Sequence, residues 1–377
     1  MDIVTGSLLS VFVFCIFFAP WQLRKTLGRP KRIWPLQILG FVTIVGYFAV
    51  IASRAFVGQS YFWGAVYDFL GLLFMFQLYW YLFSLVAILA TTALAKLSPG
   101  GLGKPTLASK GVACFGLALC LGLVSFGTFK ARGFIVTEFE VALPGLEKPV
   151  TVAHIPDLHL GASRGKAYLE SVLEAVKQES PDIVWYNGDL VDSRLALRDE
   201  VFGLFKEVSA EQYFTTGNHE YYVGVDEVIE WAKNSGIKVL RSELAVTHGI
   251  QFIGLEYMNA DRESSDAHQV NQLAMDEELP KIGRGDQLPV VVAHHSPVGL
   301  KYVEGGGAAA MLSGHTHGGQ VFPGTLIIRT RFPMYKGRYQ FGKTALIVSQ
   351  GAGTFGPMMR LETENEIQVV KFVPAAK

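Results

Sequence analysis

Five short segments hold side chains able to ligate a metal or move a proton. They are Asp157-Leu158-His159, Asn187-Gly188-Asp189, Gly217-Asn218-His219-Glu220, His294-His295-Ser296-Pro297 and Gly314-His315-Thr316-His317-Gly318-Gly319. Their donors are imidazole, carboxylate and amide oxygen, with no thiolate. That set suits Mn2+, Fe or Zn2+ and argues against a cysteine-built structural zinc. Residues i and i+2 of an extended chain point to one side, so Asp157 with His159, and His315 with His317, are expected to face a common point. Glycines beside Asp189, Asn218 and His315 permit tight turns. Singly, each segment has an ordinary reading: a loop Asp-x-His, a Gly-Asp turn, a helix cap, a surface His-x-His. In this order, each behind an expected strand, they form one specific pattern.

The elements that must position them read as α/β. Strands are expected at Phe134–Val141, Thr151–Ile155, Ile183–Tyr186, Tyr213–Thr215, Lys238–Leu240, Phe252–Leu255, Val290–Ala293, Ala310–Leu312, Thr325–Ile328, Ala345–Val348 and Ile367–Phe372. Helices are expected at Gly165–Glu179, Leu195–Val208 and Val225–Asn234. Short, continuous apolar strands alternating with helices suit sheets covered by helices. The later strands lack helices between them, which predicts a mixed sheet or a two-sheet sandwich. Donors just after strand ends match the place where α/β sheets carry their sites. The polar, acidic run Tyr257–Arg284 reads as an external flap.

Composition divides the chain. It has 377 residues, 50% hydrophobic and only 18% charged, against about 25% charged in an ordinary soluble domain. Three cysteines exclude a disulfide-built secreted class. Residues 1–132 hold eleven Lys/Arg and two acids, a formal +9, so residues 133–377 carry −9 and also all nine histidines. That acidic balance argues against sequence-independent nucleic-acid binding. Four apolar stretches, about 4–21, 33–55, 61–97 and 111–129, read as membrane spans. Asp2 and the absence of an early base argue against a signal peptide in the first stretch. Between Gly71 and Lys96 no Gly, Pro, Asn or Asp offers a turn, so the third stretch is counted once. Asp68 is the only acid in these stretches and lies near one end of its span. The basic loops Arg24–Arg32 and Lys96–Lys110 then fall on one side, which the positive-inside rule makes cytoplasmic. Residues 133–377 are expected outside, on the periplasmic face of an inner or plasma membrane.

The set D-L-H, G-D, G-N-H-E, H-x-P and G-H-T-H resembles the calcineurin-like metallophosphoesterases. The string Ser313–Gln320 with Pro323 looks like the branch with N-terminal transmembrane segments, and the resemblance covers about residues 148–360. It implies a four-layer α/β/β/α sandwich at 133–377, preceded at 1–132 by a bundle of four transmembrane helices. It also implies two divalent metal ions, one held by Asp157, His159, Asp189 and His317, the other by Asp189, Asn218, His295 and His315. Asp189 would bridge them. A hydroxide shared by the metals would attack the phosphorus, and His219 would protonate the leaving oxygen. One departure stands out: the H-x-P pattern favours His295, whereas the strand end favours His294. A four-span anchor exceeds what tethering needs, which points to a phosphorylated substrate at the bilayer, a lipid or polyprenyl (di)phosphate. The alternative is a non-catalytic membrane receptor or transport component with a metal-binding domain. Among other residues, His154 reads as core or as a group behind the ligands, His248 and His268 as surface, Tyr221 and Tyr222 as cleft or packing, and Arg360 as a minor candidate for a phosphate contact.

Overall fold

The computed structural model describes residues 45–46, 60–97, 110–263, 270–285 and 287–375. The chain forms two compact units, Met1–Ser53 with Val66–Thr128, and Arg54–Ala65 with Phe129–Lys377.

The apolar part contains α1 (Tyr61–Leu97) and α2 (Lys110–Lys130). The third apolar stretch is thus one unbroken helix, as its lack of turn residues predicts. Its segment Tyr61–Ala87 is the one span among the described residues long and apolar enough to cross a bilayer, and Cys114–Lys130 is a shorter apolar helix. Both helices leave large apolar side chains exposed, Phe69, Val86, Phe115 and Phe126 among them. Gly116 of α2 faces the Phe83 ring of α1 so closely that a Cβ would lie 2.2 Å from it, a small-residue contact of the kind apolar helices use to pair. The expected spans 4–21 and 33–55 lie outside the described residues, apart from helical Val45 and Gly46. Two of the four expected apolar helices lie among the described residues, and one of them is long and apolar enough to cross a bilayer.

The second unit is built on two mixed sheets. The first has the order β1 (Ile135–Leu143), β12 (Glu366–Pro374), β2 (Val150–His154), β3 (Ile183–Asn187), β4 (Glu211–Thr215), β5 (Lys238–Val239), antiparallel only between β12 and β2. The second has the order β10 (Gly337–Phe341), β11 (Thr344–Val348), β9 (Ala310–Ser313), β8 (Val290–Ala293), β7 (Ile250–Gly254), β6 (Glu243–Thr247), with antiparallel pairs at its two edges. Strand alternation sorts the side chains into layers. Val150, Val152, Ile183, Trp185 and Tyr213 of the first sheet meet Phe252, Val291, Ala293, Leu312 and Ile347 of the second. On the outer face of the first sheet, Ala153, Val184, Tyr186 and Phe214 pack with Leu169, Val172 and Val176 of α3 (Lys166–Glu179). On the outer face of the second, Ile253, Val292 and Met311 pack with Met275, Leu279, Leu300 and Val303. The order is helices, sheet, sheet, helices.

Three expectations need correction. Thr325–Ile328 is not a strand but part of a helix, Gly324–Arg331. A threonine and three apolar residues have no decisive period, and the surrounding chain decides. The edge strands β6 and β10 are not among those expected, because their short runs mix polar residues with apolar ones, Val246 and Phe341, that face solvent and give no clean alternation. Tyr257–Arg284 is not an external flap: Tyr257, Met258, Met275 and Leu279 are buried, and the acids Asp276, Glu277 and Glu278 share a short helical turn with Met275. The helix expected at Leu195–Val208 is broken into three short turns.

Candidate metal centre

The donors lie where the strands end. Asp189, His295 and His315 each stand two residues beyond the last residue of β3, β8 and β9. Asp157 and His159 follow β2, and Asn218 opens α4 (Asn218–Val223) after β4. The extended geometry expected for the i, i+2 pairs is not found. Asp157, His159, Asp189, His315 and His317 have φ of 59°, 50°, 51°, 70° and 49°, all left-handed. Such a conformation costs a non-glycine residue about 1 kcal/mol or more. It is held by main-chain bonds: Asp157 N to Gly188 O at 3.0 Å and His159 N to Asp189 O at 2.9 Å. Two glycines leave room for the convergence. A Cβ on Gly217 would lie 2.2 Å from Asp189 Oδ1, and one on Gly188 2.4 Å from His295 Nδ1.

All the expected donors except Asn218 fall into three clusters: Asp157, His159 and His317; His159, Asp189 and His219; Asp189, His295 and His315. Asp189 Oδ2 is 3.2 Å from His295 Nε2 and 3.8 Å from Nε2 of both His159 and His219. Asp157 Oδ1 is 3.4 Å from His317 Nε2 and 3.7 Å from His295 Nε2. His159 Nε2 and His317 Nε2 face one another at 3.1 Å. His295 Nε2 and Asn218 Oδ1 are buried without a hydrogen-bond partner. An unpaired buried acceptor such as Asn218 Oδ1 is costly unless something else satisfies it. Opposed imidazole nitrogens around two carboxylates are what divalent cations require, so the donor set fits a pair of metal ions.

His294 takes no part. Its Nδ1 donates to Ser296 O at 2.7 Å, and its Nε2 accepts from Met258 N at 3.2 Å. His295, the residue in the H-x-P register, is the one that reaches the carboxylates.

Three residues whose roles are not legible in the sequence brace the donors. Asp192 Oδ1 accepts from Nδ1 of His159 at 3.0 Å and from Nδ1 of His219. Glu220 is buried and accepts the main-chain N–H of Gly217 at 2.7 Å, Leu190 at 2.8 Å, Asp189 at 2.9 Å and Val191 at 3.3 Å. It ties the loops behind β3 and β4 together. Arg360, a candidate for a phosphate contact, is fully buried and spends its donors on main-chain carbonyls instead. It reaches His317 O at 2.7 Å, Gln350 O at 2.6 Å and Gly353 O at 2.5 Å. The available signal was Asp192, three residues after Asp189, and Glu220, inside G-N-H-E. Beneath the donors, His154 bonds Gln368 and Asn187, and Asn187 crosses to the other sheet at Leu312 O, 2.9 Å. His154 is thus core, as expected. His248 lies partly exposed near Glu211, and His268 falls outside the described residues. Tyr222 stands exposed with its ring 5.3 Å from that of His219, whereas Tyr221 is tied to Glu256 and Asn271.

The electrostatics ask for positive charge. Burial alone would lower His295, yet Asp189 and Asp157 overcome it and push the imidazole up to about 10. Burial opposes ionisation of Asp189 too, but the histidines around it hold the carboxyl well below its usual range. Burial raises Asp157. His317 falls well below its usual value through burial and the positive charge of His159 and Arg360.

A model of the calcineurin-like phosphoesterases matches residues 150–319. The chain is 28% identical over 239 residues to an uncharacterized metallophosphoesterase of Campylobacter jejuni, covering 62% of each. It is 30% identical over 231 residues to one of Aquifex aeolicus, covering 59% of this chain and 84% of that one. It is 32% identical over 228 residues to a transmembrane protein with metallophosphoesterase domain of Danio rerio, covering 56% of this chain and 51% of that one. The matched stretch is thus less than two thirds of the length of the Campylobacter jejuni relative.

Proposed function

This chain belongs to the calcineurin-like phosphoesterase family, and from that premise we propose that it is a membrane-anchored, metal-dependent hydrolase of phosphate esters. The observation that carries the reading is the cluster of imidazoles around the buried Asp157 and Asp189 carboxylates, with His295 Nε2 3.2 Å from Asp189 Oδ2 and 3.7 Å from Asp157 Oδ1, together with the buried Asn218 Oδ1, which lacks a hydrogen-bond partner. Asp157, His159, Asp189 and His317 would hold one cation, and Asp189, Asn218, His295 and His315 the other. Two divalent ions, when bound, supply a hydroxide at neutral pH and neutralise charge on the phosphoryl oxygens. Mn2+, Fe and Zn2+ all suit these donors.

The chain's own groups do the rest. Asp189 Oδ2 faces three imidazoles, His159 and His295 of the two expected sets among them, and would be the carboxylate shared by both cations. His219 Nδ1–H donates a hydrogen bond to Asp192, which orients the ring so that Nε2 would carry the proton to the leaving oxygen. A general acid of this kind contributes roughly 10²–10⁴-fold. The Phe355 ring, 5.4 Å from that of His219, and Tyr222 shield it from bulk water. α1 supports membrane anchoring, and the basic loops support a periplasmic position for the second unit. The substrate that fits such an address is a phosphorylated lipid or polyprenyl (di)phosphate.

Chelation followed by add-back of one metal at a time, reading metal content and phosphoester turnover together, tests the reading. We expect two ions per chain and activity that returns with the second. Wild type that binds both ions yet hydrolyses no phosphoester, lipid or aryl, would favour the receptor or transport alternative. A C-terminal reporter active only in the cytoplasm tests sidedness, and a signal from it would overturn the periplasmic assignment.

A further inference from the structure

The second unit is acidic overall, but its acids are unevenly spread. From 305 to 361 there is none, while Arg329, Arg331, Lys336, Arg338, Lys343 and Arg360 all fall in that interval. Arg360 is buried; Arg329, Arg331, Arg338 and Lys343 are exposed. The stretch begins with α5 (Gly324–Arg331), which leaves Leu326 52% and Ile327 39% exposed. At 100° per residue, Leu326, Thr330 and Ile327 occupy one side of this helix, with Arg329 on one flank and Arg331 on the other. Two bare aliphatic side chains between two arginines make a poor face for water. They make a good one for a bilayer surface, where the aliphatics enter and the guanidiniums stay with the headgroups.

The segment is also fastened to the metal centre. The Phe332 ring packs edge-on against His315 at 5.8 Å, and Thr316, between the two histidines, donates to Tyr335 O at 2.5 Å. Beyond it, the edge strand β10 leaves Arg338 and Phe341 exposed in the same manner.

We propose that residues 324–343 dock on the anionic headgroups of a bilayer and hold the metal centre at the membrane surface. The inference rests on the membrane-anchored reading above. It adds the surface that meets the lipid and the sign of its charge. A neutral bilayer offers the aliphatic pair a place but leaves the cations unmatched, whereas each basic residue near an anionic surface gains about fivefold in the docked population.

The test uses the full chain in proteoliposomes of phosphatidylcholine, with or without phosphatidylglycerol. An environment-sensitive fluorophore is placed at Ile327→Cys, with Cys15, Cys114 and Cys120 replaced by Ser. A control carries it at Val246→Cys, on β6 at the opposite edge of the same sheet, where the side chain is 59% exposed. Nitroxide-labelled lipid is expected to quench the probe at 327 more strongly than at 246, and more with phosphatidylglycerol than without. Arg329→Glu with Arg331→Glu should abolish that excess. Hydrogen exchange on the unlabelled wild type, slowed at 324–331 by anionic lipid, guards against damage from the cysteine replacements. Equal quenching at 327 and 246 would overturn the docking surface, and equal quenching in both lipids would overturn its preference for anionic headgroups. No readout here involves turnover, so this proposal and the hydrolase reading fail separately.

Discussion

On the first sheet the donor side chains are braced by carboxylates. Asp192 stands behind His159 and His219, and Glu220 gathers the main-chain N–H groups of the two neighbouring loops. On the second sheet the braces are main-chain carbonyls and a cation. His295 Nδ1 donates to Asn187 O at 2.7 Å, and Arg360 grips the His317 loop. Both arrangements fix a ring, but they differ electrically. A carboxylate behind a histidine makes it a stronger base, a carbonyl does so less, and a guanidinium opposes it. The two facing rings show the result. Burial would lower His159, but Asp192 leads the charges that raise it, while His317 is pushed well down. The first sheet therefore supplies most of the negative charge of the centre, and the second supplies geometry.

The harshest test of that division is Asp189, the carboxylate proposed to serve both halves. Asp189→Asn keeps the Oδ1 that accepts His219 N–H at 2.8 Å and removes only the charge. We expect loss of both cations and a fall in kcat of about 10³-fold or more. Elemental analysis beside turnover checks it. Retention of two ions with near-normal kcat would remove Asp189 from the bridging position.

A finer test compares the braces themselves. Asp192→Asn keeps one acceptor oxygen, enough for the atom that His159 and His219 share, but removes the charge, so metal affinity and kcat should drop about 10–100-fold with little change in Tm. Arg360→Lys keeps a charge but strands the carbonyls of His317, Gln350 and Gly353. Each stranded group costs about 1–3 kcal/mol, so the loss should appear chiefly in Tm. Burial, with Arg164 adding to it, lowers Arg360 only to about 9, so the wild-type group stays cationic at neutral pH. Equal effects of the two variants on Tm and on kcat would erase the distinction between an electrical and a geometric brace.

The donors were legible because each follows a short apolar strand and the five segments occur together, whereas an Asp in a turn alone says little. Asp157, Asp189 and His295 announce themselves in that way. Their backbone conformation was not legible. Nothing in Asp157-Leu158-His159 says that both ends take positive φ, because the bonds that hold them come from Gly188 and Asp189, about thirty residues away. The braces were hidden for the same reason. Asp192 reads as a loop acid until His159 and His219 meet on it, and Arg360 reads as a candidate phosphate contact until carbonyls enclose it. Thr325–Ile328 is a helix and not the expected strand because a threonine and three apolar residues do not distinguish the two, and the surrounding chain decides.

The mildest test lies at another contact between the same two sheets. Glu211 of β4 accepts from Lys238 at 2.9 Å, from Tyr213 at 2.8 Å and from Thr247 of β6 at 3.0 Å. The hydrogen bond from Lys238, then that from Tyr213, lowers its carboxyl to about 2. A depressed carboxyl stabilises the fold above its unfolded value near 4.5, and that contribution fades as pH falls toward 2. Here the pair faces water, with 37% of the Glu211 side chain exposed, so salt and solvent screen it and the effect should stay under about 1 kcal/mol. Thermal melts of Glu211→Gln against wild type should show a small gap at pH 6 that closes by pH 2 and shrinks in high salt. A gap that persists at pH 2 would mean that Glu211 acts by packing. If it closes, an acid that joins the sheets in the open contributes little, and the strength of the fully buried Glu220 at the metal end comes from enclosure and not from residue type.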